Sequence, residues 1–158
     1  MEEETPSGYF SELSAFGLLD QATLNDIAKK TAGSASGEED INTPVVTEIT
    51  IDRITLKFSH LPRRGLSFQI WPSAILLAKY FAHQVHNCNL DLHPYTILEL
   101  GSGTGFLGAY LALLSGNSVV TDLGKTVDNM RATLALNSIP SRASSSTQNR
   151  SIGVACAE

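Results

Sequence analysis

Apolar and polar positions alternate with a period of two through Val45, Val46, Ile49 and Ile51, and again through Ile54, Leu56 and Phe58. The phase changes at Asp52-Arg53, which predicts either a tight hairpin or one strand broken by a bulge. Pro62 to Gly65 then form a basic turn. From Trp71-Pro72-Ser73 the period lengthens to that of a helix running to about His86, with Ile75, Leu76, Leu77, Tyr80, Phe81 and Val85 as a wide buried stripe. After a polar loop over 87–94 come a short apolar strand at 96–100 and a helix over Phe106–Ser115. The helix carries Leu107, Tyr110, Leu111, Leu113 and Leu114, with Gly116 placed to end it. A strand at Ser118–Thr121 closes on Asp122, and a helix follows over Lys125–Asn137 with Val127, Met130, Leu134 and Leu136 apolar. Residues 138–150 are low in complexity and predict a surface loop, and Ile152–Ala157 a last strand. Strands alternating with helices predict an α/β fold with a parallel sheet and right-handed crossovers.

Residues 1–44 stand apart. Leu18, Leu19, Leu24, Ile27 and Ala28 suit one short amphipathic helix ending at Lys29-Lys30, surrounded by Gly, Ser, Thr, Pro and acids. The expected organisation is a flexible extension over 1–44 followed by one folded unit over 45–158. The net charge of −5 offers no basic surface for nucleic acid. No apolar run is long enough to span a bilayer, and the N-terminus lacks a basic segment followed by an apolar one. Cys88 and Cys156 have no partners at metal-ligand spacing, and the Asn149-Arg150-Ser151 sequon is read as chance. Together these point to a cytoplasmic protein, with the nucleus as the alternative, that binds neither membrane nor nucleic acid.

The chemistry is concentrated in Ile97-Leu-Glu-Leu-Gly-Ser-Gly-Thr-Gly105. Gly101, Gly103 and Gly105 remove three Cβ atoms from one turn between a strand and a helix, where main chain can approach a small polar ligand. Three ligands compete. A nucleoside triphosphate is suggested by Gly124-Lys125-Thr126, but Val119 stands where a P-loop needs its first glycine. A dinucleotide fits Gly103-x-Gly105-x-x-Gly108 but gives no task to Glu99 or Gly101. S-adenosylmethionine uses Glu99-x-Gly101-x-Gly103-x-Gly105 whole, with Asp122 ending the next strand, where a carboxylate can accept both ribose hydroxyls. That cofactor has no phosphate, and its sulfonium and ammonium charges suit carboxylates.

The segments EITIDRITLKF, GLSFQIWPSAILLAKYF, ILELGSGTGFLG and VVTDLGKTVDNMRATLALN, spanning residues 48–137, resemble the seven-β-strand protein-lysine methyltransferases of methyltransferase family 16. The glycine turn alone would mean only a methyltransferase. The Gly-x-x-x-x-x-Trp-Pro element from Gly65 to Pro72 narrows the resemblance. It implies S-adenosylmethionine as cofactor, a protein lysine side chain as substrate, and Trp71, Glu99, Gly101, Gly103 and Asp122 as cofactor contacts, with Ser102 giving backbone in the same turn. Gly105 completes the motif. It assigns no catalytic base in this chain.

Simpler roles stay open. Trp71 could cap a hydrophobic core, and Asp122 could be the N-cap of the following helix. Glu99 inside an apolar strand is costly unless paired. His83 and His86 share a helix face without a third metal ligand at suitable spacing.

The fold implied is a Rossmann-like methyltransferase sheet, incomplete, with strands 1 to 3 of seven and an N-terminal β segment. The family's acidic-Trp-Gly segment would begin about where Glu158 stands. The expectation is therefore a truncated or alternatively spliced methyltransferase domain whose first strand has one open edge. The alternatives are an inactive fragment acting as an interaction module and an NAD-linked oxidoreductase.

Overall fold

The structure, a computed structural model, describes residues 40–114, 117–142 and 152–157. The short helix expected within 18–28, and Gly116 as a helix end, lie outside the described residues. Strands β1 (Val45–Ile51) and β2 (Ile54–His60) form an antiparallel hairpin with Ile51 opposite Ile54. The phase change at Asp52-Arg53 is thus a two-residue turn and not a bulge. Asp52 takes φ of 53°, a left-handed conformation that Asp tolerates better than most residues.

Helix α1 (Pro72–Asn87) begins with Pro72 in its first turn, where a missing N–H costs nothing. Its buried ridge is narrower than the apolar pattern suggested. Ile75, Ala78 and Ala82 are buried, whereas Leu77 and Tyr80 are about half exposed. The two alanines let α1 approach helix α2 (Phe106–Leu114) closely, so the larger side chains lie to either side.

Strands β3 (Thr96–Leu100), β4 (Asn117–Leu123) and β6 (Ile152–Ala157) lie side by side and parallel, in the expected order of strands 1, 2 and 3. A two-residue strand β5 (Ser141–Arg142) adds to the outer side of β6. Part of the expected 138–150 loop is therefore paired. Among the described residues β3 has β4 on one side only, and Leu98 and Leu100 are exposed on it.

Helices α2 and α3 (Val127–Leu136) lie between the hairpin and the sheet, each touching β2 and at least one sheet strand. This explains why α2 is buried all round, with only Leu113 partly open. Phe58 and Phe106 meet edge-on at 5.3 Å, and the Tyr110 hydroxyl donates to the Ile51 carbonyl at 3.4 Å.

A polar seam on α3 joins it to the free edge of β2. Asn129, Thr133 and Asn137, spaced four apart, share one face of the α3 region. Asn129 accepts from the Ser59 hydroxyl and donates to the Ser59 carbonyl, both at 3.0 Å, while the Ser59 amide donates to the Thr133 hydroxyl at 3.2 Å. Asn137 accepts from the Lys57 amide at 3.0 Å and donates to the Lys57 carbonyl at 2.6 Å. The side chains substitute for a third strand and satisfy the edge backbone. Asn129→Ala leaves two buried Ser59 groups without partners, so we expect a loss of about 2 kcal/mol in urea unfolding, with the Asp122 site unaltered. At the end of β2, buried His60 bonds Thr47 through Nε2, and its Nδ1 has no partner. Burial holds its pKa below the ordinary 6.5, so it is neutral.

Candidate cofactor site

The sharp turn after β3 is built by glycine conformation. Gly101, Gly103 and Gly105 have φ of 68°, 53° and 74°, all left-handed. Their surroundings differ. A Cβ on Gly103 would lie 3.1 Å from the Ser67 carbonyl oxygen, and one on Gly105 would touch Met130 of α3. A Cβ on Gly101 would meet nothing within 4 Å, so this glycine faces open space.

Ser102 fastens the turn to β4. Its amide donates to the Thr121 carbonyl at 2.9 Å, and its hydroxyl accepts from the Thr121 amide at 3.1 Å. Its carbonyl accepts from the Gly105 amide at 2.8 Å, so its backbone closes the loop. Thr121, which the sequence pattern did not single out, adds a hydroxyl bond to the Glu99 carbonyl at 2.9 Å.

Asp122 is the penultimate residue of β4, beside this loop. One carboxylate oxygen accepts from the Gly103 amide at 2.7 Å and the other from the Leu123 amide at 2.6 Å. The N-cap of α3 is Thr126, without a side-chain cap bond, so Asp122 does not cap that helix. It is partly exposed, and a carboxylate has further lone pairs for a ligand.

Glu99 points from β3 towards α2, where Oε2 accepts from the Gly108 amide in the first helical turn at 2.9 Å. That partner answers the cost of placing an acid in an apolar strand. Gly108 makes the contact possible. A Cβ there would lie 3.1 Å from Glu99 Oε2 and would overlap the Val120 side chain. Burial raises the Glu99 carboxyl from 4.5 to about 7; the Gly108 amide and Ser102 hydroxyl oppose the rise, and the nearby Asp122 charge adds to it.

Trp71 precedes α1 and is 51% exposed, so it does not cap a core. Its indole N–H donates to the Leu66 carbonyl at 3.2 Å. It belongs to the 61–71 segment, which meets the turn where Ser67 faces Gly103. Glu99, Asp122 and the glycines thus share one neighbourhood, and Trp71 is tied to it through its own loop.

His86 pairs with Asp52 at 3.2 Å and His83 approaches Cys88 at 3.7 Å. They border a polar cleft of about 320 Å³ between the hairpin turn and α1, which shares no lining residue with the glycine turn. Among the described residues no group of three His, Cys, Asp or Glu side chains could hold a metal ion. No helix among them is long and apolar enough to cross a membrane.

The donor set decides what the turn can hold. The amides of Gly103, Gly105 and Gly108 already bond Asp122, Ser102 and Glu99. Three amides of the turn and of the helix start are therefore engaged within the protein, and the acids Glu99 and Asp122 lie beside them, which disfavours a pyrophosphate there. The site suits a ligand with hydroxyls and positive charge.

A parallel sheet with a glycine turn and acids at the ends of its first two strands defines a partial Rossmann-like α/β unit. Comparison with known proteins carries this further: the lysine methyltransferase family matches residues 50–150, well over half of the chain, and the protein belongs to that family. EEF1A lysine methyltransferase 3 of Mus musculus is 32% identical over 78 residues, which cover 49% of this chain and 32% of the relative. Protein N-lysine methyltransferase METTL21A of Danio rerio is 29% identical over 75 residues, covering 48% and 33%. Protein-lysine methyltransferase METTL21E of Mus musculus is 29% identical over 68 residues, covering 43% and 27%. The chain spans about a third of the length of these relatives.

Proposed function

We propose that this chain carries the cofactor-binding part of an S-adenosylmethionine-dependent protein-lysine N-methyltransferase. The observation that carries the reading is Asp122, held by the Gly103 amide at 2.7 Å at the C-terminal ends of two parallel strands. From there it can accept the ribose hydroxyls, while Gly101 leaves room for main chain to approach the ligand. Glu99 supplies negative charge beneath the turn, Ser102, Gly103 and Gly105 fix its shape, and Trp71 borders it from the 61–71 loop.

The cofactor supplies a methyl group activated by a sulfonium. A lysine amine must be neutral to accept it, and free lysine titrates at about 10.4, so the complete site has to desolvate the amine and align it. No residue of this chain is assigned as a base; the proton leaves to solvent. A protein lysine as substrate is what the lysine methyltransferase family and the relatives it resembles support.

Calorimetry of the 158-residue chain with S-adenosylmethionine tests the reading. We expect binding that weakens about tenfold or more in Asp122→Ala, the usual cost of losing charge-assisted hydrogen bonds. Equal affinity in the two proteins would refute the assignment. Tighter binding of NADH than of S-adenosylmethionine would favour an oxidoreductase instead.

A further inference from the structure

The basic turn at 62–65 has no task in the cofactor site. It belongs to a loop from Leu61 to Trp71 that holds itself together. The Leu61 amide donates to the Phe68 carbonyl at 2.9 Å, the Phe68 amide to the Gly65 carbonyl at 3.1 Å, and the Gln69 side chain to the Pro62 carbonyl at 3.0 Å. Gly65, at φ of 100°, turns the chain between two short 3-10 segments. Phe68 is buried beneath the loop, and the Arg64 guanidinium lies 4.5 Å from its ring centre. A cation–π contact of this kind uses no hydrogen-bond donor.

The outer surface of this loop is basic and apolar. Arg63 and Arg64 are exposed side by side, next to Leu66 at 65% and Trp71 at 51% exposure. The loop contains no acid, in a chain of net charge −5. Exposed Arg and Trp on a preorganised loop are the residues that dominate protein recognition surfaces. The loop also adjoins the glycine turn, with the Ser67 carbonyl packed against Gly103.

We propose that the 61–71 loop is a substrate-docking element that recognises acidic side chains flanking the target lysine of a protein substrate. This rests on the methyltransferase reading above. A guanidinium binds a carboxylate in a fork geometry, and the exposed Leu66 and Trp71 supply apolar contact in the same loop. A polyanion such as RNA is less suited, because the same rim carries Asp122 and the chain as a whole is acidic.

The test uses fluorescence anisotropy of labelled lysine peptides flanked by glutamates, glutamines or arginines. The proteins are the full chain, Arg63→Glu/Arg64→Glu and Arg63→Gln/Arg64→Gln, with S-adenosylmethionine affinity measured on each. The glutamate peptide should bind the wild type most tightly and weaken with added salt. It should lose about tenfold in the charge reversal and less in the neutral variant, while cofactor affinity stays unchanged. Cofactor binding without a preference for the glutamate peptide, or with a preference that survives charge reversal, would overturn the docking role alone. Joint loss of peptide and cofactor binding in both variants would assign the loop to holding the turn and would overturn docking. An RNA oligonucleotide that outcompetes the peptide would also overturn it. A wild-type chain that binds no cofactor would overturn this proposal together with the reading on which it rests.

Discussion

Gly108→Ala should destabilise the protein by about 3 kcal/mol, the upper range for overpacking a well-filled interior. The added methyl overlaps Val120, which is fully buried and stiff at χ1 because it branches at Cβ. It also lies 3.1 Å from Glu99 Oε2, so α2 must move away from the sheet or the Glu99 bond to the Gly108 amide must stretch. Neither escape is cheap, because α2 is clamped between hairpin and sheet. The intrinsic helix preference for alanine over glycine, about 1 kcal/mol, works in the opposite direction. A urea midpoint unchanged or raised in Gly108→Ala would show that this packing is looser than described. Adding Val120→Ala should recover part of the loss, since the two side chains contend for one space.

Glu99→Gln should remove a pH dependence of stability worth about 3 kcal/mol, since each pH unit of separation between folded and unfolded titration is worth about 1.4 kcal/mol. Burial raises the carboxyl from 4.5 to about 7. Below 4.5 it is protonated in both states and no penalty is felt. Between 4.5 and 7 the unfolded chain releases the proton and the folded chain retains it, so stability falls as pH rises. Above 7 the full penalty is present. Glutamine keeps a carbonyl for the Gly108 amide and does not titrate, so the fall in stability that Glu99 causes across this window should be absent from the variant, which should be more stable than wild type at alkaline pH. His60 works in the opposite sense: stability is lost as pH falls below the ordinary 6.5, so the variant isolates the Glu99 contribution. Parallel pH profiles of wild type and Glu99→Gln in urea unfolding would refute this account. The proposed cationic cofactor favours the ionised carboxylate, so its affinity should rise across the same window in wild type and not in the variant.

Much of the architecture was legible because local chemistry repeats along the chain. Alternation placed the hairpin strands, the resemblance to the methyltransferases supplied the order of β3, β4 and β6, and Pro72 marked the start of α1. The width of the α1 stripe was not legible. Apolarity does not say whether Ile75, Ala78 and Ala82 or the larger Leu77 and Tyr80 will face α2; the distance between helices decides that. The Asn129–Thr133–Asn137 seam was invisible for a similar reason. Three polar residues on one helix face read as a solvated surface until a strand edge is brought against them.

At the candidate site, Glu99, the three glycines and Asp122 stood out because an acid in a strand and glycines at alternate positions are locally expensive. The sequence by itself determined the element types and the sharp turn after β3, which follow from period and backbone freedom, and its motifs carried the resemblance to the family. Only the tertiary structure decided how those residues are used. It gave Glu99 to the Gly108 amide, Asp122 to the Gly103 amide, and Ser102 to the joint between β3 and β4. Which donor meets which acceptor depends on how strands, helix and loop approach one another in space, and spacing along the chain does not carry that distance.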